Sequence, residues 1–141
     1  MTEKRKIVIA EDHRLLREGL KALLRSHEDI EVVGEAQDGL EAVRLVEKNE
    51  PDLILLDLSM PKMSGLSVIK ELKSRFPETR ILALTIHESD QYVLEAFQSG
   101  ADGYCLKDAS RDELLIAISS VMEGKTYISP GISENVMVEI G

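Results

Sequence analysis

The chain has 141 residues, enough for one domain with a real core and too few for two of ordinary size. Hydrophobic residues make up 43%, which excludes a disordered chain, and 17 basic against 26 acidic side chains give a net charge of -9, which opposes sequence-independent attraction to a phosphate backbone. No apolar run approaches the roughly 20 residues of a membrane span, and Met-Thr-Glu-Lys-Arg-Lys leads into a strand rather than a signal-peptide core, so a cytoplasmic location with no membrane partner is expected.

In chain order, Lys6 to Ala10 is a β-branched run ending in Glu11 and Asp12, followed by Leu16, Leu20, Leu23 and Leu24 at helical spacing. Ile30 to Ala36 is a second strand. Asp38 with Glu41 has capping-box spacing for a helix that puts Leu40, Val43 and Val46 on one face and stops at Asn49-Glu50-Pro51. Leu53 to Leu56 is apolar without alternation, as a strand buried on both faces requires, and it runs into Asp57 and a Pro/Gly loop. Ser64 can cap a helix carrying Ile69, Leu72 and Phe76, which Pro77 terminates. Arg80 to Thr85 is the fourth strand, followed by a short helix with Val93, Ala96 and Phe97 and a stop at Gly100. Gly103 to Leu106 is the fifth strand. Ser110 and Glu113 then cap a helix showing Leu114, Ala117, Ile118, Val121 and Met122, which ends at Gly124. Beyond it, Ser129 and Pro130 have the identities of a helix start, with Ile132 and Val136 four apart. That pattern predicts a short linker helix, frayed alone and ordered by an effector domain or a dimer partner.

Strands alternating with helices of this length build right-handed βαβ units, hence an α/β three-layer sandwich. Five strands suit a parallel sheet of flavodoxin-like order 2-1-3-4-5, whose switch point lies between the first and third strands. Four strands end at Glu11-Asp12, Asp57, Thr85 and Lys107, so one rim collects three carboxylates, a hydroxyl and an ammonium. Like charges ~4 Å apart repel by about 4 kcal/mol at an effective dielectric of 20, so the acids need a cation or protons. Mg²⁺ suits an open acidic rim, because it takes one or two carboxylates, keeps waters and completes its shell with phosphate. A phosphoryl group there would meet a metal, an ammonium and a hydroxyl, with Asp57 placed as nucleophile to form an acyl phosphate.

These residues resemble the receiver domain of two-component response regulators. The resemblance rests on Glu11-Asp12, the run from Asp57 to Gly65, Thr85 and Tyr104-Cys-Leu-Lys107, and extends from about Lys6 to Gly124. It implies that Asp57 is the phosphoacceptor and that Asp12, Asp57 and the backbone carbonyl of Ser59 bind Mg²⁺, with Glu11 holding a metal-bound water. It implies also that Thr85 and Lys107 contact the phosphoryl oxygens and that Tyr104 is the aromatic switch residue. The implied partner is a sensor histidine kinase, and the implied role is a signalling switch rather than an enzyme. The segments 11 to 20, 106 to 110 and 123 to 130 resemble the subclass whose receivers precede a helix-turn-helix DNA-binding domain of the NarL/FixJ or LuxR type. The expected organisation is a receiver over 1–124 and a linker over 125–141 toward an absent DNA-binding domain, through which alone DNA would be contacted, with a homodimer forming on phosphorylation.

Four positions bear on how far the chain departs from the common receiver pattern: Asp108 stands where many receivers have a proline, Ile86 where a small residue is frequent, and Ser59 and His87 at positions that modulate acyl-phosphate lifetime. His13, His27 and His87 lack paired metal spacing, so solvated or capping roles are expected, and Cys105 in Gly-Tyr-Cys-Leu is expected to pack. Two alternatives share parts of this pattern. An aspartyl-phosphate hydrolase would place a second acid at position 59, where Ser59 stands. A flavodoxin-like electron carrier would have a phosphate-cradling loop in place of Glu-Asp-His-Arg.

Overall fold

The computed structural model describes residues 4–132 and 136. Strands and helices alternate as β1 (Arg5–Ala10), α1 (Arg14–Arg25), β2 (Ile30–Ala36), α2 (Gly39–Asn49), β3 (Leu53–Asp57), α3 (Gly65–Arg75), β4 (Arg80–Thr85), α4 (Asp90–Ser99), β5 (Gly103–Leu106), α5 (Arg111–Met122) and β6 (Tyr127–Ile128). All strand pairs are parallel, in the order β2-β1-β3-β4-β5-β6. The flavodoxin-like α/β architecture and the order of the first five strands are as expected, and the chain reverses direction across the sheet between β1 and β3.

The sheet has a sixth strand where the sequence predicts linker. Tyr127 and Ile128 pair with Gly103 and Tyr104, and the Ser129 amide donates to the Tyr104 carbonyl at 3.0 Å. A two-residue strand has no periodicity to read, but β5 would otherwise present unpaired backbone groups along its outer edge. The expected cap role of Ser129 is replaced by a different one: its Oγ accepts from the Leu106 amide at 2.9 Å and extends the edge pairing. Ile132 and Val136 are buried in the same apolar cluster as Tyr104 and Leu106, so this apolar pair packs on the domain itself. The remainder of the predicted linker helix lies outside the described residues.

Local chemistry sets the helix starts. Asp38, Ser64 and Ser110 each accept from the amide three residues on, as their sequence positions predict, and Ser89 does the same for α4. The capping box is offset by one residue, because Glu41 Oε1 takes the Gln37 amide at 2.9 Å. Every residue of β3 is buried, with one apolar cluster beneath α2, α3 and α4 and a second beneath α1 and α5. Gly65 starts α3 where a Cβ would lie 2.6 Å from the Leu58 backbone, so only glycine lets the helix approach the residue that follows Asp57. No helix among the described residues is long and apolar enough to cross a membrane.

Candidate functional site

Parallel register brings the candidate residues together. Ala10 aligns with Leu56, Asp57 with Leu84, and Thr85 with Leu106, so the strand ends deliver Glu11, Asp57, Thr85 and Lys107 to one rim. Glu11 and Thr85 are fully buried and Asp57 is 1% exposed, whereas the side chain of Asp12 retains 30%. Lys107, with 15% of its side chain exposed, sets Nζ 3.1 Å from Glu11 Oε1 and 3.2 Å from Asp57 Oδ2. The Ser59 amide donates to Asp57 Oδ1 at 3.0 Å, and the His13 amide donates to Glu11 Oε2 at 3.1 Å.

The charges do not balance. Glu11, Asp12 and Asp57 each offer an oxygen within 4.8 Å of the others, against the one ammonium of Lys107. Glu11 Oε1, Asp12 Oδ1 and Asp57 Oδ2 are buried and accept no hydrogen bond. The Lys107 ammonium therefore neutralises two of these atoms by proximity without donating to them in good geometry. Buried acceptors normally find a donor, so three converging orphaned oxygens fit a hard cation that prefers oxygen ligands.

Burial raises the Glu11 pKa, and neighbouring Asp57 pushes it further up, with the His13 amide and Lys107 opposing. Burial also opposes ionisation of Asp57, but the adjoining Glu11 carboxyl, the Ser59 amide and the Lys107 charge together win and hold its pKa below the usual carboxylate range. Lys107 is desolvated, yet its two acidic partners raise its pKa and keep it charged. These opposite directions favour ionisation of Asp57 over Glu11, and the anionic carboxylate is the form a nucleophile needs.

Thr85 Oγ1 accepts from the His87 amide at 3.1 Å, and the His87 carbonyl accepts from the Tyr104 hydroxyl at 2.7 Å. One peptide segment therefore joins the hydroxyl at the rim to the aromatic ring below it. Tyr104 is fully buried near Phe97, and its hydroxyl pKa is raised by desolvation. The exposed His87 ring packs on Tyr92 of α4, with centroids 4.4 Å apart. Ile86, 68% exposed, flanks the rim.

Several participants carry no sequence signal strong enough to single them out. His13 occupies the N-cap position of α1 but caps no amide with its ring; Nδ1 lies 3.3 Å from Glu11 Oε2 and 3.6 Å from Asp12 Oδ1. Arg17 reaches back one turn and a half so that Nη1 donates to the Glu11 carbonyl at 2.9 Å, while Nε lies 3.5 Å from Glu35 Oε1. Its charge is a helical face with Lys21, whose Nζ is 2.9 Å from Glu35 Oε2. His27 lies at the opposite end of α1, away from the rim.

Residues 7–119 match the family described as the response regulator receiver domain. The chain belongs to that family. This receiver domain is 42% identical over 136 residues to the transcriptional regulatory protein DegU of Brevibacillus brevis, covering 96% of the chain and 58% of that relative. Its structure resembles a LuxR-family two-component response regulator from Aurantimonas sp. SI85-9A1, with a TM-score of 0.90 and 32% identity over 97% of this chain and 98% of the other. It also resembles the signal receiver domain of the putative response regulator NarL from Mycobacterium tuberculosis, with a TM-score of 0.84 and 38% identity over 88% of this chain and all of the other. The domain is accordingly a receiver of the LuxR-family type, a phosphorylation-controlled switch. The chain spans 58% of the length of the DegU relative.

Proposed function

We propose that Asp57 takes a phosphoryl group from a phosphohistidine of a sensor histidine kinase in the cytoplasm, and that the modified receiver controls a LuxR-type DNA-binding domain joined through residues 125–141. The observation that carries this reading is the buried Asp57 at a strand end, with Lys107 3.2 Å from its orphaned Oδ2. A carboxylate oxygen of Asp57 forms the new bond to phosphorus as the donor's bond to phosphorus breaks, and the donor leaves with its bonding pair. Lys107 and the Thr85 hydroxyl take the phosphoryl oxygens. Asp12, Asp57 and the Ser59 carbonyl would hold Mg²⁺, with Glu11 contributing through a water, and the three orphaned carboxylate oxygens support that assignment. The bound ion would supply charge neutralisation for the incoming phosphoryl oxygens.

Tyr104 follows the position of Thr85 through the His87 peptide, and phosphorylation favours one arrangement of that chain over another. DNA is then contacted only through the attached domain, and pairing of two receivers on phosphorylation brings two copies of it together. The receiver turns over nothing except its own acyl phosphate. Incubation with Mg²⁺ and a small acyl phosphate should add one phosphoryl group to the intact mass. A gain that persists in Asp57→Asn, or that is equal in excess chelator, defeats the assignment.

A further inference from the structure

We infer that the segment Tyr127 to Ile132 is a strap on the switch strand, and that Ser129 is the positioning residue through which the state of the Asp57 site reaches the chain's C-terminal segment. This rests on the phosphoacceptor reading of Asp57. The inference comes from what β5 touches on its two sides. One edge pairs with β4, which carries Thr85, and the Lys107 amide donates to the Thr85 carbonyl at 2.8 Å. The other edge pairs with the strap: Gly103 and Tyr104 align with Tyr127 and Ile128, and Ser129 closes the end of the ladder.

Ser129 makes that closure with two groups. Its amide donates to the carbonyl of Tyr104, and its hydroxyl accepts the amide of Leu106, the residue before Lys107. It is a buried polar residue at 2% exposure, where loss of a partner costs most. The backbone of Tyr104 and the approach to Lys107 are thus held from the strap side by one serine. The side chains repeat the link. Ile132 and Val136 share a buried cluster with Tyr104, and Ile128 packs against it. A close-packed interior transmits displacement of a ring as large as tyrosine to its neighbours. Movement of Tyr104 is therefore felt both along the ladder and through Ile132.

The consequence is that the outer edge of β5 is covered by the chain's own strap, and what the receiver presents to an attached domain is the strap's docked or released condition. When Asp57 is phosphorylated, Thr85 and Lys107 are drawn to the phosphoryl oxygens, the β5 end is fixed, and the strap is held more tightly. Local opening of such a short edge element has a low free energy, so its equilibrium is open to bias by one hydrogen bond.

The test uses residue-resolved amide exchange on the 141-residue chain, with Mg²⁺ and excess acetyl phosphate or with neither, alongside intact mass. In the wild type, phosphorylation should slow exchange of the Leu106 and Ser129 amides by about fivefold or more, the factor one ordinary hydrogen bond supplies. Ser129→Ala should still gain the phosphoryl mass yet lose most of that response at Leu106 and at position 129, and Ser129→Thr, which keeps the hydroxyl, should restore it. A mass gain with unchanged exchange at Leu106 and Ser129 overturns the strap coupling and leaves the phosphoacceptor reading intact. No mass gain in the wild type overturns the phosphoacceptor reading and the coupling with it. A folded Ser129→Thr that responds no better than Ser129→Ala also overturns the role of the hydroxyl.

Discussion

Removing one charge from the acidic rim should stabilise the protein while abolishing its response to a divalent cation. In Asp12→Asn the shape is kept and the charge is lost. Asp12 and Asp57 offer oxygens within 4.8 Å of each other, a separation at which two unit charges repel by about 3.5 kcal/mol at an effective dielectric of about 20. The Asp12 side chain keeps 30% exposure, so solvent screening leaves roughly 1 kcal/mol of that in the folded state. In chelator at low ionic strength, Asp12→Asn should therefore melt about 3 °C above the wild type. Saturating Mg²⁺ should reverse the ranking, since a cation at 100 times its dissociation constant adds about 2.7 kcal/mol to the wild type alone. Thermal unfolding of both proteins with Mg²⁺ and with chelator measures this. The reasoning is refuted if Asp12→Asn melts below the wild type in chelator, or if Mg²⁺ raises both melting temperatures equally.

Two further outcomes follow from single groups. Burial pushes the Cys105 thiol up to about 11, so iodoacetamide at pH 8 should label the native chain far more slowly than the urea-unfolded chain; equal rates would contradict the packing assigned to it. Asp38→Ala should cost about 1 kcal/mol at pH 7 by removing the α2 cap. The Asp38 carboxyl is held below its usual range chiefly by the Glu41 amide, so this contribution is complete above the ordinary carboxylate pKa and is lost as pH falls through the lowered folded value. Urea midpoints that differ as much at pH 2 as at pH 7 would refute the ionic part of that cap.

What was legible in the sequence is what depends on neighbours a few residues away. Asp38, Ser64 and Ser110 announce helix starts because a side-chain cap and its amide are three positions apart. The unbroken apolar run of β3 announces a strand buried on both faces, and the end of each strand then points to the rim. The rest depends on distances that no local pattern encodes. The strand Tyr127–Ile128 exists because β5 has an edge to fill, and Ser129 bonds to Leu106, 23 positions earlier. The His13 ring turns from the helix start to two carboxylates, and Arg17 holds the Glu11 carbonyl, through the geometry of one turn after β1.

The same distinction explains how an unbalanced pocket persists in a folded chain. Three carboxylates on mobile loops would separate and hydrate, since like charges a few ångströms apart lose more by proximity than they gain. Here Glu11 and Asp57 follow the buried ends of β1 and β3, whose register is fixed by paired backbone groups and by side chains packed on both faces. Arg17 restrains the β1 end through the Glu11 carbonyl, and Lys107 restrains both ends through the carboxylates of Glu11 and Asp57. Rigidity at the centre of the sheet thus holds orphaned acceptors where a cation and a phosphoryl group can use them, at a stability cost that the surrounding core offsets. The elements argued to respond lie outside that centre: the exposed residues around His87 and the short edge strand that follows α5.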